Sequence, residues 1–153
     1  MKRSERIAPV QKVLGGAERA RAQDMGAARR SLTAAEKRLQ ELQQYHADYL
    51  NGFQRTAKAG GNALALRDFQ QFLGRLEEAV RQQEQIVAQA RQTVAGSTTQ
   101  WQSAARRVKA VGSVVDKWQV EERYREGKRE QKDIDERAQR QQPRGVPGKP
   151  EQH

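Results

Sequence analysis

His46 and His153 are the chain's only imidazoles, and it contains no cysteine. Two histidines that far apart, with no thiolate, do not make a metal site, because a zinc centre needs three or four N, S or O donors at short spacings. No Ser-His-Asp set, no carboxylate pair placed for acid–base work and no phosphate-cradling glycine loop occurs. Gly15-Gly16 and Gly60-Gly61 lack the flanking residues of a nucleotide loop. The chain therefore reads as a non-enzyme, with no catalytic, cofactor-binding or metal-binding residues. What it offers instead is contact chemistry. Tyr45, Leu50, Phe72, Ala79 and Ile86 are apolar side chains lying off the positions that a helix pair would bury, and Phe72, Ala79 and Ile86 repeat every seven residues. Exposed apolar stripes mark contact sites. The spacing alone fits a partner surface and self-association equally well.

The elements that must carry these side chains follow from two rows of residues. Counting in sevens from Leu66 gives Leu66, Leu73, Val80, Val87, Val94, Trp101, Val108 and Val115, all apolar. Counting from Phe69 gives Phe69, Leu76, Gln83, Ala90, Ser97, Ala104, Val111 and Trp118. Two rows offset by three, each repeating every seven, are the inward positions of a coiled coil, and a strict repeat of seven implies a left-handed supercoil around a partner helix. A weaker pair of rows precedes them. One is Met25, Leu32, Leu39, His46 and Phe53. The other is Ile7, Leu14, Arg21, Ala28, Ala35, Leu42 and Tyr49. Gln11, Glu18 and Arg21 fall on inward positions there, and Gly15-Gly16 costs about 1 kcal/mol per residue relative to Ala, so this end is expected to fray or to be held by a partner. The tryptophans read as core knobs, in keeping with the usual heavy burial of Trp.

Lys58-Ala-Gly-Gly-Asn62 is the one strong break before residue 120. Gly60-Gly61 can end one helix through positive φ and Asn62 can cap the next, so two amphipathic helices fold back antiparallel. The fold class is all-α, an αα-hairpin: helix over about 4–57, turn over 58–62, helix over about 63–138, in a single coiled-coil domain spanning 1–140. Paired residue numbers should sum to roughly 120 along a coil of about 75 Å at 1.5 Å per residue. Gly96-Ser-Thr-Thr99 reads as a soft or bent spot. By the sum rule Glu121–Arg140 has no partner on the first helix and either projects or frays, and the Pro- and Gly-rich stretch over 141–153 reads as a disordered tail.

Composition narrows the function classes. Of 153 residues, 35% are hydrophobic and 5% aromatic, too few for a thick core or for sheets. The charged start Met1-Lys-Arg-Ser-Glu-Arg6 is not a signal peptide, and no run approaches the length of a membrane span, so a cytoplasmic protein is expected. The net charge of +10 is spread along the chain, +5 over 1–57, +4 over 58–120 and +1 over 121–153. A basic chain suits an acidic partner, nucleic acid or anionic lipid. A nucleic-acid binder usually gathers Lys and Arg on one face, which leaves a nucleic-acid-associated coiled coil as the alternative reading and a purely structural homo-oligomer as a third.

Lys2-Arg3, the spaced Leu39, Leu42, Tyr45 and Tyr49, the short glycine turn, and Phe69-Gln-Gln-Phe72-Leu73 followed by Leu76, Ala79 and Gln83 together resemble the FliJ family, coiled-coil components of the bacterial flagellar type III export apparatus. The equivalent stalk proteins of virulence secretion systems are the near alternative. The resemblance implies an antiparallel two-helix coil similar to the γ stalk of rotary ATPases. It implies two partners, the hexameric export ATPase (FliI), bound through the ends of the hairpin, and the export gate membrane protein (FlhA), with escort of export chaperones as a further role. Location would be cytoplasmic, peripheral to the inner-membrane gate. The family's gate-facing patch maps to Leu42, Tyr45, Tyr49, Phe72, Leu76 and Ala79, with Arg38 and Gln83 as departures in type. Because the off-row stripe falls in the same place, the resemblance favours a partner surface over self-association. Arg29, Arg30, Arg106 and Arg107 are the residues expected to meet acidic side chains of the ATPase ring.

Overall fold

The computed structural model describes residues 1–141, which form a helical hairpin of α1 (Arg3–Arg6), α2 (Ala8–Lys58) and α3 (Ala63–Gln141). Ile7 separates α1 from α2, and Pro9 lies in the first turn of α2, where its missing N–H is no loss. Except for Gln141, the tail anticipated over 141–153 lies outside the described residues.

The turn is built from glycine and asparagine chemistry. Gly60 has φ 77°, where a side chain would be strained. The Gly61 N–H donates to the Thr56 carbonyl at 2.9 Å and the Gly60 N–H to the Ala57 carbonyl at 3.3 Å, the two bonds of a Schellman ending. A Cβ on Gly61 would stand 2.6 Å from Thr56 Cγ2, so the second glycine is required by contact and not by its own φ. Asn62 Oδ1 then accepts the Ala65 N–H at 2.8 Å and caps α3.

The hairpin divides into two compact units, residues 14–107 and residues 1–13 with 108–141. In the first unit, every α3 residue of the two rows from Leu66 to Ala104 is buried or half-buried, and so is every α2 residue of its rows except Arg21. Ala22 turns inward in place of Arg21, since a small apolar side chain buries at little cost and a guanidinium does not. Arg21 Nη1 donates instead to Gln100 Oε1 at 3.3 Å. The tightest positions are Val87 at 3%, Leu73 at 7%, and Leu76 and Ala35 at 8% of their surface exposed.

Polar residues on the rows find partners across the seam. Gln83 Nε2 donates to the Ala35 carbonyl at 3.0 Å, and the Trp101 indole N–H donates to Glu18 Oε1 at 2.9 Å. Glu18 is therefore a satisfied partner of Trp101 and not a packing defect, because a buried indole N–H needs an acceptor. α3 is continuous through Gly96–Thr99, where the Thr99 hydroxyl donates to the Ala95 carbonyl at 3.0 Å within its own helix.

In the second unit, Val115 is 5% exposed and Trp118 is half-buried, with the Arg3 guanidinium 6.0 Å from the Trp118 ring centroid. Ser4 Oγ donates to Glu122 Oε2 at 2.7 Å, its N–H reaches Glu122 Oε1 at 3.3 Å, and Lys2 pairs with Glu126. The partnerless region anticipated from Glu121 therefore begins only after Glu126, because the long carboxylates of Glu122 and Glu126 reach back to Ser4 and Lys2, which a strict sum near 120 would set beside residues 116 and 118. From Gly127 to Gln141 every residue is exposed.

The Ser4 hydroxyl, with help from the Lys2 charge, holds the Glu122 carboxyl below its ordinary value of 4.5. A depressed carboxyl adds stability above its unfolded value and loses it as pH falls through the folded one. Amide protection of Ser4–Arg6, followed by hydrogen exchange, should therefore drop on acidification below that ordinary value. Ser4→Ala should flatten the dependence.

Candidate functional site

Two surfaces of the 14–107 unit stand out. The first is aromatic and lies beside the turn. Heptad positions place Tyr49 and Phe53 of α2 against Phe69 of α3, and the off-row Phe72 lies beside Tyr49. Tyr49 and Phe72 rings are 4.3 Å apart between centroids at 36°, Tyr49 and Phe69 are 5.7 Å apart, and Phe53 meets Phe69 edge-on at 6.1 Å. A shallow groove of 390 Å³ runs between Tyr49, Ala65, Asp68, Phe69 and Phe72. Tyr45 is 62% exposed and Phe72 36%.

The six residues carried over for a gate contact do not share one environment. Tyr45 and Phe72 face solvent, Leu42, Tyr49 and Ala79 are half-buried, and Leu76 is buried in the helix seam. Gln83 spends its amide on the Ala35 carbonyl, while Arg38 lies exposed 3.9 Å from Glu41. Ile86 and Leu50 are also exposed, as their off-row positions require. Leu64, 69% exposed on the first turn of α3, belongs to the same end of the unit. It was not among the expected stripe residues, although its place on neither row is the signal that could have found it. His46 sits on the seam with Nε2 3.5 Å from Glu77 Oε1.

The second surface is electrostatic, and folding creates it. Antiparallel pairing lays residues 14–38 beside 85–107. These stretches hold nine basic and three acidic residues, net +6, and 85–107 contain no acid at all. The remainder of the unit, 39–84, holds five basic and six acidic residues, net −1. Charge that looks dispersed along the chain is thus collected into one half of the unit, where opposed helices sum their fields. Arg29, Arg30, Arg106 and Arg107 are all exposed there. They form two pairs and not one patch: the register set by the Glu18–Trp101 bond puts Arg29 and Arg30 level with residues 89–90 of α3, so Arg106 and Arg107 lie about 25 Å farther along the axis at 1.5 Å per residue. Among the described residues no group of three His, Asp or Glu is placed to hold a metal ion, and no helix is long and apolar enough to cross a membrane.

Comparison with known proteins gives a consistent result. The family model described as Flagellar FliJ protein matches residues 2–145. A Flagellar FliJ protein of Escherichia coli (strain K12) is 30% identical over 116 residues, covering 76% of this chain and 79% of that protein. No solved structure matches the chain.

Proposed function

This chain belongs to the FliJ family and is a component of the flagellar export apparatus, and from that premise we propose that it is a non-catalytic, stalk-like element that binds the hexameric export ATPase (FliI) and the export gate protein (FlhA). The match across residues 2–145 carries this reading. The collected positive charge supports the ATPase side. Nine basic side chains on paired helices attract an acidic ring surface over many nearly equivalent positions, which favours a contact that can shift without passing through one deep well. The aromatic surface near the turn supports the gate side, since exposed Tyr and Phe next to a shallow groove are the usual anchors of a protein contact. The chain would promote ATPase assembly and couple it to export, and would act on the cytoplasmic side, peripherally at the inner-membrane gate of the flagellar base. Escort of export chaperones fits the same exposed helix faces.

Pull-down of the purified ATPase and gate protein, joined to an ATPase-stimulation assay, tests the reading. Reversing Arg29, Arg30, Arg106 and Arg107 to Glu should cut stimulation about tenfold or more at low salt, with a smaller difference as screening increases. Stimulation that is indifferent to the reversal at every salt concentration would refute the electrostatic contact, and failure to retain either partner would refute the function.

A further inference from the structure

Past Glu126, α3 continues to Gln141 with every residue exposed. A stretch of this length is marginal as an isolated helix in water. Its outer face nevertheless repeats at alternating spacings of four and three: Val120, Tyr124, Gly127, Gln131, Ile134 and Ala138. Val120, Tyr124 and Ile134 are 60%, 63% and 57% exposed. At about 100° per residue, this face lies nearly opposite the one on which Val115, Trp118 and Glu122 pack.

We infer that this face is the seam of an antiparallel pair formed with a second copy of this chain, with Tyr124 of each copy set on Gly127 of the other. The flanking charges carry the inference, because residues beside a coiled-coil seam fix partner and orientation. In this register Glu121 faces Lys128 of the second copy, Arg123 faces Glu130, and Asp116 faces Arg137. By two-fold symmetry each pair occurs twice, and every pair is opposite in sign. None of these six side chains is in an ion pair within the chain among the described residues, although Lys128 Nζ lies 5.1 Å from the ring centroid of its own Tyr124 and Arg123 Nε donates to the Gln119 carbonyl at 3.4 Å.

The competing registers fail on the same residues. A parallel pair sets Arg123 against Lys128, Glu130 against Asp135 and Asp116 against Glu121, all like charges. An antiparallel pair slid one heptad, so that Tyr124 faces Ile134, sets Glu121 against Asp135, Arg123 against Arg137, and Lys128 and Glu130 each against its own copy. Like-charge contacts across a seam exclude partners and registers more surely than attraction selects them.

Gly127 supports the same register. A Cβ there would meet nothing within the chain, and glycine inside a helix costs about 1 kcal/mol relative to alanine. The second copy gives the missing side chain a reason, since the Tyr124 ring needs a flat, open floor. Lys117 and Gln131 on the seam keep the association weak and dependent on concentration.

Sedimentation equilibrium of the full chain tests this at low and physiological salt. The expected result is a monomer–dimer equilibrium that weakens with salt. Lys128→Glu should weaken dimerisation about tenfold or more by making two facing pairs repulsive, and the double exchange Glu121→Lys with Lys128→Glu should restore it. Because the natural chain has no cysteine, the double variant Tyr124→Cys with Gly127→Cys should oxidise to a covalent dimer. Circular dichroism checks that each variant keeps its helix. A chain that stays monomeric throughout overturns the inference and assigns the stripe to a different partner. Dimers equally insensitive to the single and the double charge exchange overturn it as well.

Discussion

Val87→Asp should remove about 4 kcal/mol or more of the stability of the 14–107 unit. Val87 is the least exposed residue of the core at 3%. Withdrawing a valine from the seam forfeits about 1.5–3 kcal/mol of burial. A carboxylate put in its place must stay charged without a partner or take up a proton, and either route adds on the order of 2 kcal/mol or more. The sum, about 4 kcal/mol or more, is set against a reserve of about 5–14 kcal/mol for 94 residues at ordinary stability per residue. A two-helix seam has no second layer into which the strain can spread, so the loss appears as reduced cooperativity over the whole unit. Urea unfolding followed by far-ultraviolet circular dichroism measures it. Ala88→Asp, one residue along and exposed, is the matched control and should cost less than about 1 kcal/mol, most of it helix propensity. Equal shifts for the two variants would mean that α2 and α3 do not rely on this seam.

The reason Val87 can be singled out also explains what the sequence made legible. A strict repeat of seven leaves little choice about which side chains face inward, and the α3 rows from Leu66 to Trp118 are buried or half-buried at every position. Gly60, Gly61 and Asn62 were equally plain, because positive φ and capping are local properties of those residues. Arg21 escaped the rule, since a row predicts direction but not what a guanidinium will tolerate, and Ala22 was available one position on. The Ser4–Glu122 clasp and the gathered basic half of the 14–107 unit were hidden for a different reason. The clasp departs from a sum near 120, and the gathered charge appears only when composition is read across paired segments and not along the chain. Glu18 was legible as a polar intruder, but its pairing with the Trp101 indole required the fold.

Tyr45→Ala and Leu76→Ala should separate recognition from stability within the candidate gate surface. Both residues came from the same carried-over patch, yet Tyr45 is 62% exposed and Leu76 only 8%. Truncating Leu76 opens a void in the seam beside Leu73 and should destabilise the chain by about 2–4 kcal/mol, weakening any contact only through the fold. Tyr45 makes little of its surface available to the core, so its removal should leave the unfolding midpoint within about 0.5 kcal/mol of the natural chain. If the aromatic surface is the gate contact, Tyr45→Ala should nevertheless weaken gate-protein binding about 30-fold, the loss expected of an aromatic anchor contributing about 2 kcal/mol. Phe72→Ala combines both effects, since its ring is 36% exposed yet stacked 4.3 Å from Tyr49. It should lose about 1 kcal/mol or more of stability along with the aromatic pair and bind the gate at least as poorly as Tyr45→Ala. Titration calorimetry against the purified gate protein, run beside urea unfolding of the same three variants, gives both axes. Tight binding by a stable Tyr45→Ala variant would remove Tyr45 from the contact and leave Phe72 as its exposed aromatic anchor, whereas tight binding by both Tyr45→Ala and Phe72→Ala would refute the aromatic surface as the gate contact.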